Sequence, residues 1–348
     1  MKRNRLGTSD LDVSEICLGS MTWGSQNDEA QGHAQIDRAL ERGVNFIDTA
    51  EMYPTTPVKA ETCGQTERII GSWLKKTARR DEVIVATKIV GAGFAHLRDR
   101  APITPASLTD AIEGSRSRLN VDTIDLYQTH WPNRGHFHFR KQWAYDPSDQ
   151  DRQDVDDDLR RMLEALSEQV EQGRIRWIGV SNDTTWGIAR MLRIAREEGF
   201  PRVVSVQNEY SLMYRHHDLD MAELSHHEQV GLLAYSPLAC GLLSGKYSDD
   251  VIPKGSRRDV SAEGLGGRMN DHTLDAADDY VALARSHDLD PVQMALAFCI
   301  SRPFMASTII GATSLAQLDI ALDAVNLTLS DAVLDGIATL HRKWPVPY

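Results

Sequence analysis

Four residues of different type, Asp48, Tyr53, Lys88 and His130, fall at or just beyond the ends of consecutive short apolar runs. Singly, each has an ordinary explanation as an ion pair or a packed ring. Together they form an acid with the groups that tune it, which is the equipment of proton transfer. The competing pattern is a pair of carboxylates, Asp48 with Glu51, as a barrel hydrolase would use. That pattern leaves Lys88 and the tyrosine without a use.

The elements that must position these groups follow from hydrophobic patterning. Eight short runs are apolar on successive residues, as in strands covered on both faces of a parallel sheet: Ile16 to Ser20, Asn45 to Thr49, Val83 to Lys88, Ile124 to Thr129, Arg176 to Val180, Val203 to Gln207, Leu232 to Ser236 and Ser307 to Gly311. Helical spacing fills the intervals. Thr104 and Pro105 supply an N-cap and a first-turn proline before Leu108, Ile112 and Leu119, while Leu159, Leu163, Leu166 and Val170 form a stripe that Gly173 ends. Strict alternation of eight strands and helices predicts a (β/α)8 TIM barrel, one domain over residues 1–348, with a doubly wound open sheet as the alternative. In such a barrel the C-terminal strand ends carry the active site, so the four groups converge on one side of the mouth.

Three segments depart from the alternation. The first fourteen residues, turning at Gly7-Thr8-Ser9-Asp10, read as a β-hairpin that could plug the N-terminal end of the barrel. A long loop follows the fourth strand, from Pro132 to Asp158, aromatic early and acidic late, and another follows the seventh, from Leu238 to about Asn270. Loops of that length in a compact domain are usually functional or disordered. Helices complete the C-terminal end.

Composition bounds the partners. The 348 residues carry a net charge of −12, with 25% charged and 41% apolar residues, which is globular usage. An acidic chain without a Lys/Arg stripe argues against nucleic acid and anionic membrane as partners. The longest apolar stretch, Val230 to Leu243, is interrupted by Ser236, Pro237 and Gly241 and falls short of a membrane span. The N-terminus lacks the apolar core of a secretory signal, and Cys17, Cys63, Cys240 and Cys299 form no CxxC pair, so a reduced cytoplasmic setting is expected.

Seven stretches, in order, resemble the aldo-keto reductase superfamily: GVNFIDTAEMY (43–53), VATK (85–88), LYQTHW (126–131), IGVSN (178–182), VQNEYSL (206–212), AYSPLACGLLSGKY (234–247) and IIGATS (309–314). The insertion from Pro54 to Gln65, the HWP sequence at the fourth strand and the long loop after it look most like the bacterial Tas-like branch. The resemblance implies an NADP(H)-dependent oxidoreductase that reduces a small aldehyde or ketone by hydride transfer. Tyr53 matches the general acid, Lys88 lowers the barrier to phenolate formation, Asp48 holds Lys88, and His130 orients the carbonyl. Asp48 also belongs to the implied cofactor site. There, Ser181, Asn182 and Gln207 would hold the nicotinamide carboxamide and Tyr235 would stack on the ring. Ser236, Pro237, Leu238 and Gly241 would wrap the pyrophosphate, with Ser20 and Met21 nearby. Lys246 and Arg257 would supply cations, and Gly311, Thr313 and Gln317 would meet the adenosine 2′-phosphate end, where a helix start presents free N–H groups. Ile320 and Ala321 replace the acid and amide common in the family at the adenine. Trp23, Tyr53, Trp131, Phe137, Phe139 and Trp143 are the substrate-pocket candidates; the rings of the loop after the fourth strand either form a lid or wall for an apolar or aromatic carbonyl or pack that loop onto the barrel. A second reading implied by the same resemblance is an NADP(H)-binding regulatory subunit of channel β-subunit type with little turnover.

Other patterns fail on detail. Gly91-Ala92-Gly93 meets His96 where a dinucleotide fingerprint needs its third glycine, and Gly241 to Lys246 is one residue short of a P-loop. The pairs His216-His217 and His226-His227, and His136 with His138, lack further ligands, so no metal is expected. Neutralising Lys246 should raise the dissociation constant for NADPH in a fluorescence titration; an unchanged constant would place the cofactor's phosphates elsewhere.

Overall fold

The computed structural model describes residues 1–260 and 264–348. Two strands, β1 (Arg3–Arg5) and β2 (Asp12–Ser14), pair antiparallel, and eight parallel strands close into a barrel: β3 (Ile16–Gly19), β4 (Phe46–Asp48), β5 (Ile84–Ile89), β6 (Ile124–Thr129), β7 (Ile175–Ser181), β8 (Val203–Glu209), β9 (Gly231–Tyr235) and β10 (Met305–Ile310). Closure comes from β10, which pairs with both β9 and β3. All eight predicted strands are present, and closure settles the choice against the open sheet. The helices bury their apolar stripes against the outside of the barrel in one large cluster that includes Ile70, Trp73, Ile112, Leu163, Ile188 and Leu296.

Inside the barrel the layering follows from the period of two along each strand. Phe46, Ala86 and Leu126 belong to an apolar floor cluster, and two residues further along the same strands stand Asp48, Lys88 and Gln128. Lys88 pairs in register with Gln128. The floor is completed from outside the barrel by Leu6, Leu11 and Val13 of the hairpin, which pack with Cys17, Val204, Leu233 and Ile309. The hairpin therefore seats as the predicted plug.

The long loop after β6 is shorter than its sequence suggested. Asp151 accepts hydrogen bonds from the backbone N–H groups of Gln153 and Asp154, both at 2.9 Å, and so starts a helix that runs Arg152–Glu171. The predicted boundary at Asp158 followed the apolar stripe, which begins at Leu159, about two turns after the cap.

At the plug's turn, Gly7 has φ +56°, and a Cβ there would lie 2.2 Å from the carbonyl oxygen of Val204. Neither the backbone conformation nor the space admits a side chain. Gly7→Ala should destabilise the fold by about 2–3 kcal/mol, visible as a lower unfolding midpoint in urea. An unchanged midpoint would mean that the hairpin does not seal the barrel in solution.

Candidate active site

The predicted acid and its partners meet in one enclosed constellation. Lys88 is fully buried at the end of β5; its Nζ donates to Asp48 Oδ2 at 2.6 Å and to the Thr49 carbonyl at 2.7 Å. Asp48 Oδ1 in turn accepts from Gln207 Nε2 at 2.9 Å and Gln128 Nε2 at 3.4 Å. Both carboxylate oxygens are thus committed, which fixes the ammonium in place. The Tyr53 ring centroid lies 5.1 Å from Lys88 Nζ and 5.7 Å from the His130 ring, which meets it edge-on.

Protonation follows from this enclosure. Burial pushes the Tyr53 phenol above its ordinary value, and the Lys88 ammonium works to draw it down again. Sequence reasoning weighed the cation alone, whereas the net direction is upward because the ring is desolvated. Burial also opposes the charge on Lys88, but Asp48 and Tyr53 outweigh it and hold the ammonium above its usual range. His130 lies well below its ordinary value because it is buried and faces Lys88. It is a neutral imidazole at physiological pH, with Nδ1 buried and unpartnered among the described residues. Glu51, the second carboxylate of the hydrolase pattern, accepts two bonds from Arg98, at 2.5 and 3.0 Å, and one from the Val90 N–H at 2.7 Å. It has no free edge with which to act as a base or nucleophile.

The residues expected around the nicotinamide are joined to this quartet. Asn182, at φ +53°, donates from Nδ2 to the His130 carbonyl at 2.9 Å and accepts from the Tyr235 hydroxyl at 2.7 Å. Ser181 Oγ donates to the Gln207 carbonyl and Ser20 Oγ to the Asp48 carbonyl, each at 2.7 Å. The loop after β9 makes a run of left-handed turns at Ser236, Ala239, Cys240 and Gly241, around Pro237 and Leu238. A Cβ at Gly241 would meet Lys246 at 2.6 Å, so the lysine arm lies across the turn. Arg257 reaches the thioether of Met21 at 4.0 Å and has no carboxylate partner among the described residues. Beyond β10, exposed Gly311 leads to a helix, Leu315–Asp323, whose Ser314 cap accepts from the Gln317 N–H at 3.3 Å. Gln317 Oε1 accepts from both the N–H and the hydroxyl of Thr313, at 3.0 Å each.

The aromatic candidates divide. Trp131 packs with Tyr53 against Ala50, Met52 and Val90, and Phe139 meets Trp131 edge-on at 5.8 Å, so a wall of rings runs outward from His130. Phe137 instead stacks on His138 at 4.4 Å, and Trp143 is 68% exposed. Trp23 is not a pocket residue. It is wholly buried in the outer core with its Nε1 donating to Gln35 at 3.2 Å, because a ring just past β3 falls behind the helix Glu29–Glu41 rather than over the mouth. Three residues went unnoticed in the sequence. Glu209 and Arg268 are buried and paired at the mouth, and Arg140 joins them from the loop after β6. The legible signal was Glu209, an acid at a strand end two residues beyond Gln207 in the same motif.

The sequence profile of the Aldo/keto reductase family matches residues 15–342. The chain is 41% identical to Protein tas of Escherichia coli over 100% of its own length and 99% of that protein. The chain belongs to the aldo/keto reductase family. It is also 29% identical to the Uncharacterized oxidoreductase YrpG of Bacillus subtilis over 96% of this chain and 94% of that one. A Probable voltage-gated potassium channel subunit beta of Oryza sativa is 28% identical, covering 99% and 98% respectively. As an aldo/keto reductase the protein is an oxidoreductase, of a family that binds a nicotinamide dinucleotide and acts on small carbonyl compounds. No helix among the described residues is long and apolar enough to cross a membrane.

Because His130 is neutral and Tyr53 is raised, kcat/KM for carbonyl reduction should be flat through neutral pH and fall only above about pH 10, where the phenol loses its proton. An acid limb with a midpoint near 6.5 that disappears in His130→Gln would show that the imidazolium, not the imidazole, is the working form.

Proposed function

We propose that this aldo/keto reductase is an NADP(H)-dependent reductase of aldehydes or ketones, a single barrel domain working in the reduced cytoplasm. The observation that carries the reading is the buried Lys88 ammonium, held by Asp48 beside a phenol and a neutral imidazole. When bound, the cofactor would supply the hydride that reduces the carbonyl carbon. Tyr53 donates its proton to the carbonyl oxygen as negative charge develops there. Lys88 stabilises the phenolate that remains, and Asp48 keeps the ammonium aimed. His130 donates one hydrogen bond to the same oxygen and sets the carbonyl plane.

The cofactor fits the residues present. Ser181, Asn182 and Gln207 would take the carboxamide and Tyr235 the ring face. The turned backbone from Ser236 through Pro237 and Leu238 to Gly241 would take the pyrophosphate, with Ser20 and Met21 beside it. Arg257, which has no carboxylate partner among the described residues, and Lys246 would offset phosphate charge. Gly311, Thr313 and Gln317 would meet the 2′-phosphate at the helix start. The wall formed by Tyr53, Trp131 and Phe139 favours an apolar or aromatic carbonyl. The rice relative's name raises a cofactor-sensing interaction subunit as the second reading; it predicts NADPH binding without turnover, and the complete quartet favours catalysis.

Purified protein given a panel of aldehydes and ketones should oxidise NADPH, and Tyr53→Phe should lower kcat/KM by about 10²–10⁴-fold with little change in NADPH affinity. Full activity in that variant would remove Tyr53 from the role of acid.

A further inference from the structure

Glu209, the last residue of β8, is a buried carboxylate gripped by two guanidiniums from different loops. Its Oε2 accepts from Arg140 Nη1 at 2.5 Å, and its Oε1 accepts from Arg268 Nε at 3.0 Å and from the Tyr348 hydroxyl at 3.2 Å. Arg140 belongs to the loop after β6 and directly follows Phe139; both have left-handed φ, +66° and +59°. Arg268 lies near the end of the segment that follows β9 and is tied back to it through the Leu265 carbonyl at 2.7 Å. Both guanidiniums lie over the Tyr348 ring, at 5.7 and 5.8 Å, and that ring stacks on Tyr214 at 6.0 Å. The two loops also touch directly, since a Cβ on Gly267 would come within 3.1 Å of Arg140 Cγ.

An ion cluster this enclosed adds little net stability over apolar packing of the same volume. Its position is more informative than its energy. One arm fixes the residue next to Phe139, at the outer end of the ring wall that starts at His130. The other fixes the far side of the loop assigned to the cofactor. The charges of Glu209, Arg140 and Arg268 are also felt at Tyr235, the ring assigned to the nicotinamide.

We propose that Glu209 is a positioning residue that couples the two loops through Arg140 and Arg268, so that cofactor binding against the loop after β9 and the seating of the aromatic wall after β6 favour each other. This rests on the cofactor reading given above. Coupling of this kind is reciprocal in free energy, so loosening the substrate-side arm weakens cofactor binding on the other side.

The test is Arg140→Met, which leaves Glu209 paired one-to-one with Arg268 and so strands no buried carboxylate. Arg140→Lys keeps the charge, and because only Nη1 contacts Glu209, a lysine ammonium can replace it. Both are compared with the wild type by NADPH titration and by hydrogen exchange of residues 132–150 with and without NADPH, with thermal melting as the control for folding. Arg140→Met should raise the NADPH dissociation constant about tenfold and abolish the protection that NADPH gives to residues 132–150. Arg140→Lys should recover most of both. Wild-type affinity and protection in a folded Arg140→Met would overturn the coupling and leave the reductase reading intact. Failure of the wild-type protein to bind NADPH would overturn both.

Discussion

An ammonium group with no access to water is the constraint around which this barrel is arranged. Lys88 is completely enclosed, and desolvating such a charge is tolerable only where an opposite charge and hydrogen-bond acceptors meet it at close range. Asp48 meets it from the neighbouring strand and the Thr49 carbonyl completes the contact. Asp48 must then be held itself, which brings in Gln128 from the next strand and Gln207 from across the lumen. Four strands are therefore tied through one carboxylate. Tyr53 and His130 take their protonation states from the same enclosure, one raised and one lowered. A phenol that stays neutral is the expected result where burial outweighs the pull of a nearby cation.

What the sequence disclosed is what local physics determines. Strands buried on both faces read as continuous apolar runs, and caps such as Thr104-Pro105 mark helix starts, so the eight strands and the helix Pro105–Leu119 were legible without coordinates. The quartet was legible too, because strand ends in a barrel point one way. Misreadings came where partners lie far away in the chain. Trp23 was placed at the mouth by its nearness to β3, but its partner Gln35 sits on the following helix and draws the ring into the outer core. Glu209, Arg140 and Arg268 come from three separate segments, and no spacing rule links residues 69 and 59 positions apart. The start of the helix at Asp151 was missed for the opposite reason. The acidic stretch Asp149 to Asp158 reads as a solvated approach to a helix N-terminus, and the cap lies within it rather than after it.

The two long loops illustrate how a rigid scaffold leaves recognition to its connections. The strands carry Asp48 and Lys88 themselves, while His130 follows β6 by one residue and Tyr53 follows β4 by five. The loop after β6 adds Trp131 and Phe139 next to His130, and the loop after β9 adds left-handed turns and an arginine without a carboxylate partner among the described residues.

The hairpin at the other end gives the net charge of −12 a different meaning. With Leu6, Leu11 and Val13 closing the floor, the barrel behaves as an insulated cup with a single opening. Water cannot approach Lys88 from below to screen it. Paired with Asp48, it presents a dipole rather than a free charge, and the low-dielectric walls leave that pairing strong. The Asp48–Lys88 pair sums to zero, so the −12 is carried by residues other than these two, and the hairpin works electrically as well as mechanically: it keeps solvent from weakening the attraction that holds the ammonium.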